Sequence, residues 1–140
     1  VVSRKKISTL AITNTTSYRI PRKLLQDAFS LAAKKHIMEV SLVFLSNAKM
    51  RTLNATYRGK DYSPNVLAFP LDEHGGEICI NPMVAKREAK ECGCTLRMRF
   101  VQLFVHGLLH LQGKDHQNTK DAEEMEREED SIVRSVIPTV

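Results

Sequence analysis

The longest apolar run in this 140-residue chain is Phe100 to Leu111, interrupted by Gln102 and His106. It falls short of the roughly 18 residues that a membrane span needs, so the run is read as a buried core helix. Any fold for this chain must bury that helix together with the imidazoles it carries. His106 and His110 are four residues apart, which puts them on one face, about 40° apart in azimuth and roughly 6 Å along the axis. Gly113 permits a sharp turn after the helix, because glycine adopts positive φ. His116 follows three residues later and can fold back beside the other two.

Three imidazoles at this spacing suit one divalent metal. A lone helical histidine is more often a satisfied core residue than a ligand. The third histidine after a glycine turn favours a metal. Three protein ligands and a water are the usual arrangement of a catalytic zinc, whereas structural sites are generally closed by four protein ligands. Asp115 adjoins the third histidine and can either orient an imidazole through its free ring nitrogen or cap the turn. The spacing H-x-x-x-H-x-x-G-x-x-H is also that of the metzincin metalloproteases. Those sites place a glutamate base directly after the first histidine. Here that position is Gly107, which cannot take a proton.

The remaining pattern is read element by element. Lys6 to Thr13 alternates as a strand. Pro21 suits the first turn of a helix to about Lys35, with Leu24, Leu25, Ala28, Phe29, Leu31 and Ala32 on its apolar side. Val40 to Leu45 reads as a buried strand. Ser46 caps a helix to about Tyr57 that ends near Gly59. Asn65 to Leu71 reads as a strand that Pro70 interrupts, and so as an edge strand or a short one. Gly75-Gly76 signals a turn, followed by a short strand with Ile78 and Ile80. Pro82 opens a helix that Gly93 stops. Thr95 caps the histidine helix, which runs to about Gln112, and Thr119 begins a last helix to about Ile137. The expected class is α/β of the α+β type: one domain over residues 1–140, a mixed sheet of about four strands packed with helices, and the metal site at the end of a core helix.

Hydrophobic residues make up 42% and charged residues 26% of the chain, an ordinary globular balance. Three cysteines, Cys79, Cys92 and Cys94, make a poor disulfide framework and fit a reducing, cytoplasmic setting. No secretory signal pattern stands at the N-terminus. Cys92-Gly93-Cys94 could bind metal, but two thiolates without a clustered partner read as plain structural or surface thiols. The net charge of +5 is uneven: residues 119–140 hold seven acidic and three basic side chains, and residues 1–118 hold eighteen basic and nine acidic. A basic body attracts a polyanion at long range, and it is equally what a solvated basic surface looks like.

A second constellation lies at Asn54-Ala55-Thr56-Tyr57-Arg58-Gly59-Lys60-Asp61, followed by Asn65-Val66-Leu67-Ala68-Phe69-Pro70. Arg58 and Lys60 flank a glycine and can hold phosphate, the arginine through its planar fork. Cations that merely favour a helix dipole would look the same.

Together these stretches resemble the YbeY family of bacterial metal-dependent endoribonucleases, from about Leu42 to Val133. The strongest part is His106-Gly107, Leu109-His110-Leu111, Gly113 and Asp115-His116. The Asn54, Tyr57-Arg58 and Asn65-Val66-Leu67 segments and Gly76-Glu77-Ile78 precede it in order, and Met125 and a glutamate-rich helix follow. The resemblance implies a mixed α/β domain with one Zn2+ per chain held by His106, His110 and His116, and a functional arginine at Arg58. It implies cleavage of single-stranded RNA in ribosomal RNA maturation and ribosome quality control, with ribosomal small-subunit proteins as further partners and no membrane. Pro64 and Ala68 stand where Thr and Ser are common, Glu77 where Asp is common, and Lys114 where an aromatic is common. The two lost hydroxyls bear on hydrogen bonding in the cleft.

The expected activity is therefore metal-dependent hydrolysis of RNA, with Arg58 on the phosphate, Lys60 adding affinity and Asp115 a weak candidate for proton transfer. The rivals are a hydrolase of metzincin geometry and a ribosome-assembly factor with a structural zinc. The acidic last helix is expected to face away from RNA or to mask a surface.

Overall fold

Capping and glycine signals fix the ends of most elements. The computed structural model describes residues 7–34, 36–113 and 118–137. In chain order they form β1 (Thr9–Asn14), α1 (Arg22–Ala32), β2 (Glu39–Phe44), α2 (Asn47–Arg58), β3 (Val66–Asp72), β4 (Gly75–Ile80), α3 (Pro82–Cys92), α4 (Leu96–Leu111) and α5 (Thr119–Val136). Ser46 caps α2 by accepting from the Lys49 N–H at 3.2 Å, and Thr95 caps α4 by accepting from Met98 at 3.1 Å. Gly59 and Gly93 close α2 and α3 in the left-handed conformation, with φ of 66° and 70°. One start differs from expectation: Pro21 is the cap of α1, not part of its first turn. Helix α5 begins at Thr119 as expected, with Asn118 as its cap, accepting from Asp121 N–H at 2.9 Å.

The four strands form one mixed sheet in the order β1-β2-β4-β3, with β1, β2 and β4 parallel and β3 antiparallel to β4. The expected turn at Gly75-Gly76 is corrected: the turn is Glu73-His74, and both glycines lie in β4, paired with Glu39 and Val40. Close backbone approach accounts for them. A Cβ on Gly75 would stand 2.1 Å from the Glu39 carbonyl oxygen, and one on Gly76 would stand 2.1 Å from that of Phe69.

The sheet's two faces are unequal. Val40, Leu42, Phe44, Ile78 and Ile80 meet α1, α4 and α5 in the main core. Met50 of α2 covers Leu67 and Cys79 on the other face. Burial pushes the Cys79 thiol up to about 12, helped by the Glu77 carboxylate 3.4 Å away. Thr9, Ala11 and Thr13 of β1 stay exposed, so its alternation is that of a half-buried strand.

Helix α4 sits directly on β4. A Cβ on Gly107 would lie 3.0–3.3 Å from the Cγ2, Cδ1 and Cγ1 of Ile78. Gly107 thus lets the helix backbone rest on the sheet and fixes the height of the residues on either side of it. A side chain at this position would have to push the Ile78 side chain aside.

At the far edge, β3 pairs with β4 alone among the described residues. The Asn65 carbonyl accepts from Asn81 N–H at 2.9 Å, which makes these two a bonded pair. Antiparallel alternation then turns Leu67 and Phe69 toward β4, and the backbone groups of Val66, Ala68 and Pro70 outward. Pro70 lacks an N–H and is tolerated at an outward position.

Gly107→Glu is expected to lose at least about 2 kcal/mol, because it overpacks the helix–sheet seam and buries a carboxylate. Thermal unfolding measures this, and an unchanged melting temperature would contradict the seat on Ile78.

Candidate metal centre

The C-terminal part of α4 carries His106 and His110 to the rim of an open cleft of about 680 Å³. The helical i,i+4 relation brings the rings together, with centroids 4.5 Å apart and planes at 72°. Their Nε2 atoms are 3.0 Å apart. Two nitrogens at about 2.0–2.1 Å from one tetrahedral zinc would be about 3.3–3.4 Å apart, so a small ring adjustment accommodates an ion.

Glu129 settles which nitrogen is available. The Nδ1–H of His106 donates to the Glu129 carboxylate in a short, partly buried contact. That contact holds the proton on Nδ1 and leaves the Nε2 lone pair directed toward His110. A carboxylate behind a ligating imidazole is the usual support of a metal-bound histidine. The donor set is therefore chemically suited to a transition ion. His116 and Asp115 lie outside the described residues, as does Lys114. Among the described residues no cluster of three or more His, Cys, Asp or Glu forms at metal-binding distance. Cys92 is exposed and Cys94 half-buried, both as free thiols.

Glu129 was not singled out from the sequence, yet its signal is present there. Met125, Ile132 and Val133 are the buried residues of α5. Glu129 falls between them at helical spacing, a carboxylate on the inward stripe, and such a group needs a partner. Helix α5 packs on α1 and α4 and supplies this carboxylate.

The cleft runs around the free edge of β3. His106 and His110 stand on one side of the strand, Tyr57 and Arg58 of α2 on the other, and Ala68 and Phe69 between them. Arg58 is thus brought to the same opening as the histidines. Its Nη1 donates to Asn54 Oδ1 at 3.4 Å, and Asn54 Nδ2 donates to the Tyr62 carbonyl at 3.0 Å. Asn54 is fully buried, so it ties the last turn of α2 to the loop that follows. Arg51 adds a bidentate exposed pair with Asp61 (2.8 and 3.2 Å), whose hydrogen bonds and charge hold the Asp61 carboxyl below its usual range. Lys60 is exposed, and the described lining of the cleft does not include it. Of the substituted positions, Ala68 lines the cleft, whereas Pro64 is buried outside that lining and Glu77 contacts Cys79 instead.

On the opposite side of His106 a second network secures the start of β3. Asn65 Nδ2 donates to both Glu88 carboxylate oxygens (3.1 and 3.2 Å), and Arg99 donates to Glu88 through Nε and Nη2 (3.2 and 3.0 Å). The edge strand is thereby tied to α3 and α4 rather than held by β4 alone.

Residues 3–137 match the family described as Endoribonuclease YbeY. An Endoribonuclease YbeY of Aromatoleum aromaticum is 40% identical over 121 residues, covering 84% of this chain and 79% of that protein. One of Chromobacterium violaceum is 35% identical over 138 residues, covering 91% and 82%. A Thermotoga maritima protein solved in solution superposes with a TM-score of 0.69 at 29% identity, covering 91% of this chain and 89% of that one. The family match and the relatives of that description define a hydrolase of the nuclease class. The chain belongs to the YbeY family.

Asn54→Ala is expected to cost about 0.5–1.5 kcal/mol, because it removes the hydrogen bond to the Tyr62 carbonyl and releases Arg58. Chemical denaturation checks this, and a loss below about 0.5 kcal/mol would mean that the loop is held elsewhere.

Proposed function

We propose that this chain is a zinc-dependent endoribonuclease that cleaves single-stranded RNA in ribosomal RNA processing. The observation that carries the reading is the pairing of the His106 and His110 Nε2 atoms, backed by Glu129, with Arg58 across the same cleft. His106 and His110 would hold the ion, with His116 as third ligand. A zinc ion so held supplies a water ionisable near neutral pH and offsets charge on a phosphate.

The protein's own residues do the rest. Glu129 fixes the tautomer and direction of His106. Arg58 binds the scissile phosphate through its fork of N–H donors and stabilises charge that develops on its oxygens. Asn54 restrains Arg58 while leaving it exposed to the cleft. Lys60 and the basic body contribute affinity independent of sequence, which weakens as salt rises. Asp115 remains the candidate for proton transfer. Gly107 argues against a peptidase of metzincin type, since glycine offers no base at that position. No helix among the described residues is long and apolar enough to cross a membrane. We place the activity in the cytoplasm, with ribosomal RNA as substrate and ribosomal small-subunit proteins as neighbours.

Zinc-loaded protein is expected to cleave a labelled single-stranded RNA, with His110→Ala reduced to background and Arg58→Ala slowed by roughly 10²–10³. Equal cleavage by wild type and His110→Ala across independent preparations would end the nuclease reading. Glu129→Gln is expected to weaken zinc binding about 10–100-fold, measured by competition with a chromogenic chelator. Unchanged affinity would show that the carboxylate does not support the ligand.

A further inference from the structure

Tyr57 is the exposed aromatic of the cleft. It is 67% exposed on the last turn of α2, immediately before Arg58. Its ring meets Phe69 of β3 edge-on, with centroids 5.4 Å apart and planes at 66°. Phe69 in turn packs against the small core formed by Met50, Leu67 and Cys79. One aromatic is thus anchored in the domain and braces a second that remains open to solvent. Both line the cleft that also holds Arg58 and the histidine pair.

An open tyrosine ring has two ordinary explanations: incidental surface, or a surface for something flat. The surroundings favour the second. A phosphate held by Arg58 belongs to a nucleotide whose base must lie within a sugar's reach of it. Tyr57 is the adjacent residue, and its ring loses little freedom on binding because Phe69 already restrains it. Bases stack on aromatic rings without regard to sequence, because every base has a π-face. A base paired in a duplex offers no free face of this kind.

We propose that Tyr57, braced by Phe69, is a stacking platform for an unpaired nucleobase beside the phosphate held by Arg58. This rests on the nuclease reading above and adds to it the part of the site that selects single strands. Stacking requires the base to be unstacked from its neighbours, so the platform rewards single-stranded RNA and ignores base identity. The free edge of β3 lies between platform and histidines, and the strand of RNA would cross it there.

The test walks one abasic nucleotide through a short fluorescent single-stranded RNA and measures affinity by anisotropy with the full chain. Wild type is expected to lose roughly 5- to 150-fold at one position. Tyr57→Ala is expected to bind the intact RNA more weakly by a similar factor and to lose nothing further at that position. Tyr57→Trp restores the discrimination. Tyr62→Ala, which removes an exposed tyrosine outside the cleft lining, keeps the wild-type pattern. Equal abasic losses in wild type and Tyr57→Ala at every position would overturn the platform, even with cleavage intact. Cleavage that persists in His110→Ala would instead overturn the nuclease reading and leave the abasic pattern unmoved.

Discussion

The seat of α4 on β4 at Gly107 governs the rest of the structure. A helix buried on nearly every side has little freedom to choose its height over a sheet. Here the height is set by the absence of a side chain at one position, with the helix backbone resting on Ile78. The neighbouring residue, His106, is then held at a fixed distance from the sheet edge, and His110 follows one turn later. Interiors are packed as densely as organic crystals, so a shift at the seam cannot be absorbed quietly. Imidazoles proposed to share one ion need close placement, and this seam fixes the height of the helix that carries them.

The second support comes from the opposite direction. Helix α5 is acidic along most of its length, yet its apolar residues dock it on α1 and α4. Docking brings Glu129 behind His106. The ring is therefore fixed between a sheet that sets where its backbone lies and a carboxylate that sets how it is turned.

Much of this was legible in the sequence, and the limits have physical causes. Caps and stop glycines marked Ser46, Gly59, Gly93 and Thr95 correctly because each acts within a few residues of itself. The missing donor in Pro70 left β3 as either an edge strand or a short one, and the strand order puts it at the edge. Gly75-Gly76 misled, because glycine serves tight turns and close backbone approach alike, and only the pairing with Glu39 and Val40 distinguishes them. His106 and His110 were legible through helical periodicity. Glu129 was not found, since its partner is 23 residues away and its cue, an acid on an inward stripe, is diluted by six other acids in the same helix. The cleft joining Arg58 to the histidines depends on which strand ends the sheet, a property of topology rather than of any motif.

The open edge of β3 has a consequence of its own. Val66 and Ala68 turn backbone groups away from the sheet, and among the described residues no strand covers that edge. An uncovered edge is a template for any extended segment, including the same strand of another copy. Pro70 removes the donor that would lengthen the exposed ladder, and the irregular register between Pro70 and Asp72 bends the strand away beyond it. The usable edge is thereby cut to about two residues, too short for a stable fifth strand. The same brevity that limits self-association leaves room for a ligand that does not need a ladder.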